Sequence, residues 1–351
     1  MSGAPNLFEQ QAKNRRQTAA WVVLFILFFA WLGFGGDAVL YFQSVDQFGR
    51  AHYPLPFIGI VVTFIAAVVA WRSWTGGPKQ ILWSTGASEL VTPTTFEERQ
   101  LVNVVEEMAV AAGIPRPHIY VIQDADPNAF ATGHGPGSSS IAVTTGLLQA
   151  LNREELQGVV GHEMSHIRNL DVRLMTMIAA LIGVVVVLSD GMGRVIGFGG
   201  GRVGGGSGGG SGLLGGRSSD RKGGGGVLVL VLLVLWIITL ILAPLITRIM
   251  AMAISRNREY LADATSAELT RNPAALASAL EKIESAEAPT ESIKRGAAHL
   301  CIADPLGRAA NLKEGKLADL FGTHPPMAKR ITILKGMAYQ QAKAAGAPPQ
   351  A

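Results

Sequence analysis

The sequence predicts a mainly helical α+β protein with about four transmembrane helices. Hydrophobic residues make up 48% of its 351 residues and charged residues only 16%, whereas a soluble domain carries about 25% charged residues. Four uncharged stretches are candidate membrane segments: Trp21–Gly36, Pro54–Trp71, Leu174–Ser189 and Val227–Thr247. Outside them, short strand patterns and helical patterns alternate, which indicates an aqueous α+β part.

The four apolar stretches differ in how well they fit a bilayer. Only the last reaches the ~20 residues that cross comfortably, and the first is long enough if it runs on to Tyr41. The third is short, so a partly embedded hairpin arm is the alternative to a full span. The stretch 199–226 is rich in glycine and predicts a flexible insert, either a linker without chemistry or a site of membrane contact or self-cleavage.

Basic residues beside the first two apolar stretches predict the orientation in the membrane. Lys13, Arg15 and Arg16 precede the first, and Arg72 and Lys79 follow the second, whereas the loop between them carries only Arg50. The positive-inside rule therefore places the N-terminus and the residues from 72 onward in the cytoplasm. Two crossings between residues 173 and 247 would return the chain to the same side.

The aqueous part begins with recognisable helix and strand signals. A helix is predicted at Phe96–Ala112, opened by Thr94 or Thr95 and closed by Gly113. Strands are predicted at 118–122 and 140–144, with the segment 128–133 between them. Residues 248–337 predict mainly helix, interrupted at Pro273, Pro289 and Pro305. The lone Cys301 excludes an intrachain disulfide and predicts a small buried side chain.

The residues His162-Glu163-Met164-Ser165-His166 carry the clearest chemical signal. Asn152 predicts the start of the helix that contains them, so both imidazoles face the same side. Two neutral histidines and a third ligand hold Zn²⁺ with one position left for water, and Glu163 is placed to act as general base. The alternative is a surface helix with two solvated histidines.

A third ligand has to come from a later segment, and Glu259 is the best candidate. Asp263 follows it four residues later, so one carboxylate can bind metal while the other lies behind it. An acid that accepts the spare N–H of a ligating histidine fixes the orientation of its ring. Asp263 and Asn169 are the residues predicted to support the ligands in this way.

The chain resembles the M48 family of zinc metallopeptidases, in particular its HtpX-type bacterial membrane proteases, and the likeness extends beyond the helix that contains His162 and His166. The likeness runs in order from about residue 80 to 335. It rests on the following segments: Asn128–Gly133, Ile141–Leu148, Glu259–Asp263, His299–Ile302 and Thr323–Pro326. The resemblance implies a gluzincin-like zinc metalloprotease domain in which His162, His166 and Glu259 bind one zinc ion.

The resemblance also implies roles for individual residues. Glu163 is the expected catalytic base, and His324 is the expected second electrophile, although a histidine before two prolines is also typical of a turn. Asn128 lies where the family presents an edge strand to the extended substrate backbone, which would align the peptide by β-augmentation. As a residue that follows Pro127, Asn128 is equally typical of a turn.

These features predict how the chain is organised. The predicted parts are a cytoplasmic segment 1–20, two transmembrane helices in 21–74, the first protease part 75–172, a transmembrane hairpin 173–247, the second protease part 248–337 and a flexible tail 338–351. The expected location is the bacterial inner membrane, with the active site on the cytoplasmic side.

The expected function is a membrane-anchored zinc endopeptidase that cleaves membrane or misfolded proteins for quality control. A non-catalytic membrane scaffold and a specific processing peptidase of the same family are the alternatives. The presence of Glu163 disfavours the scaffold, since a degenerate copy commonly loses this base. A formal charge of +4, located largely beside membrane segments, gives no reason to expect a nucleic-acid partner.

Overall fold

The chain forms two compact units. In a computed structural model, the described residues are 7–44, 48, 50, 53, 55–182, 234, 256–286, 292–293, 300–303 and 325–345. One unit combines Met1–Val22, Trp71–Gly183 and Arg248–Ala351, and the other combines Val23–Ala70 and Val184–Thr247. The glycine-rich insert and, apart from Val234, the predicted fourth transmembrane segment lie outside the described residues.

Two long helices match the first two predicted membrane segments. α1 (Leu7–Ser44) and α2 (Phe57–Ser84) contain candidate spans at Gln11–Phe42 and Phe57–Ser84, with mean hydropathies of 2.1 and 1.8. Both helices are long and apolar enough to cross a bilayer. Each extends beyond the uncharged stretch that predicted it, because polar residues can continue a helix past the hydrocarbon region.

Asp37 connects the end of α1 to the beginning of α2. It is 4% exposed and accepts the main-chain N–H groups of Ile58 at 3.1 Å and Gly59 at 2.5 Å, as well as the hydroxyl of Tyr53 at 2.6 Å. The carboxylate thereby satisfies donors that the first turn of α2 leaves free. A Cβ at Gly59 would lie 2.3 Å from the ring of Phe34, so glycine permits the close approach of the two helices.

The unit that contains the aqueous elements is built around a four-stranded sheet within the described residues. Its strands are β1 (Ser88–Glu89), β2 (His118–Ile122), β3 (Ala129–Gly133) and β4 (Ser139–Thr144), in the order β1-β2-β4-β3. β2 and β4 are parallel, with His118 opposite Ser140; β3 is antiparallel to β4, with Ala129 opposite Val143. β1 pairs antiparallel with β2, and β3 lies at the other edge.

Seven further helices are described in the same unit. They are α3 (Phe96–Ala112), α4 (Thr145–Ala150), α5 (Arg153–Arg168), α6 (residues 171–182), α7 (Arg256–Thr270), α8 (Pro273–Ser285) and α9 (Met327–Ala344). A short 3₁₀ turn, Pro136–Ser138, joins β3 to β4. The strands predicted at 118–122 and 140–144 and the break at Pro273 are confirmed.

Capping residues determine where α3 and α5 begin. Thr95 and Glu98 form a capping box at the start of α3, and Asn152 and Glu155 form another at the start of α5. α3 ends at Gly113, whose φ of +66° is the left-handed conformation that glycine adopts without strain. These starts and this end are the ones that the sequence predicted.

α5 is the central helix of this unit. It packs against α3, α7 and α8 and against β3, so residues on nearly all of its faces are buried after the first turn. Leu101 on α3, Val159 on α5 and Leu276 on α8 are fully buried in the shared core. The histidines of α5 are consequently interior residues, and the alternative of a solvated surface helix is wrong.

The last helix runs further than the sequence predicts. The prediction of a flexible tail at 338–351 is wrong for residues 338–344, because α9 continues to Ala344. Alanine, glutamine and lysine dominate this stretch and favour helix.

In the third hydrophobic stretch, residues 174–182 are helical, and Leu174, Ile178 and Leu181 are fully buried within their unit. That this stretch crosses the bilayer stays a prediction.

Candidate metal centre

Two histidine rings on α5 face a common point. His162 and His166 are one turn apart, their Nε2 atoms lie 3.2 Å from each other, and they are 1% and 3% exposed. Buried polar atoms need a partner, and a cation between two imidazole lone pairs satisfies both. Their spacing and burial indicate two ligands of one metal ion.

α7 brings Glu259 to the same point. Its Oε2 lies 3.6 Å from Nε2 of His162, and its Oε1 lies 3.6 Å from Nε2 of His166. One ligand atom from each of the three residues lies within 4.8 Å of the others. Tetrahedral zinc with bonds of about 2.0–2.2 Å requires ligand separations of about 3.3–3.6 Å. The separations of the three side chains therefore fit an ion of this size.

Asp263, one turn after Glu259, supports His162 from behind. Its Oδ1 lies 3.0 Å from Nδ1 of His162. When the Nδ1–H donates to this carboxylate, Nε2 of the ring keeps its lone pair for the metal. The sequence predicted this arrangement from the four-residue spacing of the two acids.

Arg330 on α9 completes this side of the cluster and is not among the residues predicted from the sequence. It is fully buried, donates to Asp263 through Nε at 2.8 Å and Nη2 at 2.7 Å, and its Nη1 lies 3.6 Å from Oε2 of Glu259. Burial alone would raise the pKa of Asp263, but the guanidinium outweighs burial and lowers it to about 2. The only signal in the sequence was a basic residue on the apolar face of a helix, four residues before Leu334.

His166 has its own acid partner, Asp171, which is likewise not among the residues predicted from the sequence. Oδ2 of this fully buried residue lies 3.4 Å from Nδ1 of His166. Leu170, with φ of +60°, turns the chain after α5 so that Asp171 returns to the last turn of that helix. Asn169, predicted to support the ligands, instead donates to Oγ of Ser165 at 3.2 Å, and neither His162 nor His166 accepts a hydrogen bond from its amide within the described part of the chain. The available signal was an acid five residues after His166.

Glu163 lies buried beside the cluster with one unused oxygen. It is 1% exposed, and among the described residues its Oε2 has no hydrogen-bond partner. The main-chain N–H of Ala131 on β3 hydrogen-bonds the carboxylate. Burial raises the pKa of Glu163, and the opposing effect of positive charge on His162 and His166 is smaller. A carboxylate of this kind next to a metal site has the properties of a general base.

The carboxylates around His162 favour positive charge on its ring. Burial lowers the pKa of His162, but the nearby carboxylates of Asp263 and Glu259 outweigh burial and raise the pKa to about 9. The same carboxylates that attract a proton attract a metal cation. The electrostatic surroundings of His162 are therefore favourable for a bound cation.

The outer edge of β3 is partly paired with residues 300–303. Cys301 forms an antiparallel bridge with Phe130, and the N–H of Ile302 donates to the carbonyl oxygen of Ala129 at 3.0 Å. Asn128 is fully buried just before β3, and its Nδ2 donates to the carbonyl oxygen of Ala303 at 3.1 Å. Cys301 itself is buried, as predicted.

Comparison with known proteins decides the family. The family model described as "Peptidase family M48" matches residues 95–338. The chain belongs to peptidase family M48. A "Protease HtpX homolog" from Thermoanaerobacter pseudethanolicus is 41% identical over 333 residues, covering 94% of this chain and 98% of that protein. Another, from Streptococcus gordonii, is 38% identical over 331 residues, covering 94% and 100%. The crystal structure of S. mikatae Ste24p aligns at 19% identity with a TM-score of 0.42, over 86% of this chain and 62% of that chain.

This M48 peptidase is a membrane-anchored metalloprotease. The M48 resemblance and the enzyme class predicted from the sequence are confirmed by the family match. The match includes every residue of the metal cluster as well as Asn128 and His324. His324 lies outside the described residues, so its predicted role as an electrophile stays a prediction.

Proposed function

We propose that this M48 metalloprotease is a zinc endopeptidase in which His162, His166 and Glu259 bind the ion and Glu163 is the catalytic base. The observation that carries the proposal is the buried cluster, with ligand atoms 3.2 to 3.6 Å apart. Two imidazole nitrogens and one carboxylate oxygen form a ligand set typical of catalytic zinc. The unpartnered Oε2 of Glu163 supports a catalytic rather than a structural ion.

The proposed chemistry assigns a task to each side chain around the ion. Bound zinc would act as a Lewis acid toward a water molecule and the scissile carbonyl. Glu163 accepts a proton from the water as it attacks, and then donates that proton to the departing amine. Asp263 and Asp171 hold the rings of His162 and His166 so that both Nε2 atoms face one point.

We also propose that an extended substrate lies along the outer edge of β3. Main-chain hydrogen bonds there would align a peptide with little demand on its sequence. Because Ile302 already uses the carbonyl oxygen of Ala129, a substrate strand either pairs beyond Phe130 or replaces residues 300–303. The amide of Asn128 holds Ala303 beside this edge, and we propose Asn128 as a residue that borders the bound peptide.

The proposed setting is the bacterial inner membrane, with the active site in the cytoplasm. Support comes from basic residues at Lys13, Arg15 and Arg16 before the apolar part of α1, and at Arg72 and Lys79 after that of α2. Relatives named as proteases of the HtpX type are similar over nearly the whole chain. We propose membrane or misfolded proteins as substrates and a role in membrane-protein quality control, with His324 as a second electrophile.

Replacing the base tests the proposal. Glu163→Gln, in full-length protein purified in detergent, is expected to lower casein cleavage by about 10²- to 10⁴-fold because no carboxylate remains to take the proton. The variant should keep about one Zn²⁺ per chain, since no ligand is removed. Glu154→Gln is the matched control, because this exposed residue lies on the same helix. Wild-type turnover in Glu163→Gln would rule the mechanism out.

A further inference from the structure

The N-terminal turns of α1 contact the helix that carries the two histidines. Residues up to Val22 belong to the same compact unit as the metal cluster. Nε2 of Gln11 donates to the carbonyl oxygen of Arg168 at 2.8 Å, and Nδ2 of Asn14 donates to that of Asn169 at 2.9 Å. The last carbonyls of a helix have no partner within it. The amides of α1 therefore complete the C-terminal end of α5.

Asn14 reaches one step further, to the acid behind His166. Its Nδ2 also donates to Oδ1 of Asp171 at 2.6 Å. Asn14 is 2% exposed and Asp171 is fully buried, so solvent does not supply a replacement donor. The two hydrogens of one amide group thus go to Asn169 and Asp171, and this pair of acceptors fixes the orientation of the amide.

The two oxygens of Asp171 have separate partners. Oδ1 accepts from Asn14 and lies 3.6 Å from Nε of Arg258, whose Nη2 donates to Oε1 of Gln17 on α1. Oδ2 is left to face Nδ1 of His166. If Oδ1 lost its short bond from Asn14, the carboxylate would be free to rotate toward Arg258, and Oδ2 would leave the imidazole.

We propose that Asn14 is a positioning residue of the metal centre, which holds the Asp171 carboxylate in the orientation that supports His166. This inference rests on the proposed function, because it takes His166 as a metal ligand. It assigns the end of a membrane-anchoring helix to the supporting layer of the active site. Loss of a residue that hydrogen-bonds a ligand weakens metal binding by about 10- to 100-fold; Asn14 acts on His166 only through Asp171, so its effect lies at or below the lower end of that range.

The choice of substitutions separates a hydrogen-bonding role from simple packing. Asn14→Leu keeps the approximate size and shape of the side chain but removes the donor. Asn14→Ala removes both the shape and the donor. If Asn14 only fills space, the nearly isosteric Leu variant is the milder one; if it donates to Asp171, the Leu variant is at least as damaging as the Ala variant.

The experiment measures metal binding directly in full-length protein in detergent. Zinc affinity is determined by competition with a chromogenic chelator, and the visible absorption spectrum of the Co²⁺-loaded protein reports ligand geometry. Glu9→Ala is the matched control, since this exposed side chain lies on the same N-terminal turns of α1. Wild-type protein is measured first for zinc stoichiometry and casein cleavage, so that failure of the proposed function is seen independently.

We expect a loss of zinc affinity of up to about tenfold and an altered Co²⁺ spectrum in both Asn14 variants, with Glu9→Ala unchanged. Wild-type zinc affinity and spectrum in Asn14→Leu would overturn the inference while leaving the proposed function intact. If Asn14→Ala does not accumulate in membranes, Asn14→Ser takes its place; its side chain is too short to reach Asp171. Wild-type affinity and spectrum in the Ser variant would equally overturn the inference.

Discussion

Arg330→Met tests whether the buried charges of the metal centre depend on one another. Arg330 makes two hydrogen bonds to Asp263, at 2.8 and 2.7 Å, and one to the carbonyl oxygen of Ile302 at 3.2 Å. Methionine fills part of the space but leaves the buried carboxylate of Asp263 without its guanidinium partner, and only His162 still faces it. Removing one partner of a buried ion pair costs about 3–5 kcal/mol. For a unit of this size, that corresponds to a fall in Tm of about 6–20 °C.

The assay compares thermal unfolding of purified wild type and variant, followed by tryptophan fluorescence. Lys335→Met is the matched control, since Lys335 also lies on α9 and pairs with Glu281 at 2.6 Å, but with side chains 59% and 46% exposed. An exposed pair of this kind is worth less than about 1 kcal/mol. The double variant Arg330→Met/Asp263→Asn leaves no lone charge at this pair and should recover part of the lost stability. Equal Tm values for Arg330→Met and Lys335→Met would refute the reasoning.

Three further changes test other parts of the structure. Glu259→Ala should reduce the zinc content of purified protein, and full retention would place the third ligand elsewhere. Glu155→Gln should lower the free energy of unfolding by about 1–2 kcal/mol at pH 7, because Glu155 accepts from Lys282 at 2.7 Å. Burial would raise the pKa of Glu155, but its hydrogen bonds outweigh burial and lower the pKa below its usual value of 4.5. The difference in stability should therefore persist above pH 4.5 and vanish as the pH falls through the folded-state pKa. Chemical denaturation at several pH values between about 3 and 7 measures it. Gly158→Ala should destabilise the fold by about 1–3 kcal/mol through overpacking and so lower its Tm, since the added Cβ would lie 3.0 Å from Cα of Leu276. An unchanged Tm would contradict that contact.

Local signals accounted for much of the fold and for the centre of the site. Capping residues such as Thr95 and Asn152 predicted helix starts, because the caps satisfy donors within a few residues of the same chain. The pairing of His162 with His166 followed from helical periodicity alone. In each case the interaction that determines the structure spans four residues or fewer.

The supporting residues escaped prediction because distant segments bring them to the site. Arg330 reaches Asp263 only because α9 packs against α7 and α8. Asp171 reaches His166 through a turn at Leu170, which adopts a positive φ that few side chains favour. Asn14 depends on a helix that the sequence marked only as a membrane segment. Neither spacing nor composition carries information about such tertiary contacts.

The interleaving of three chain stretches in one unit has a consequence for biosynthesis. Translation delivers the N-terminal part of a protein first, so a ribosome-bound chain possesses His162 and His166 well before Glu259 and Arg330 have been made. Such a chain has only two of the three side chains that meet at the ion, and the carboxylate behind His162 is missing as well. Hydrolytic capacity should therefore arise only once the later helices have joined the unit.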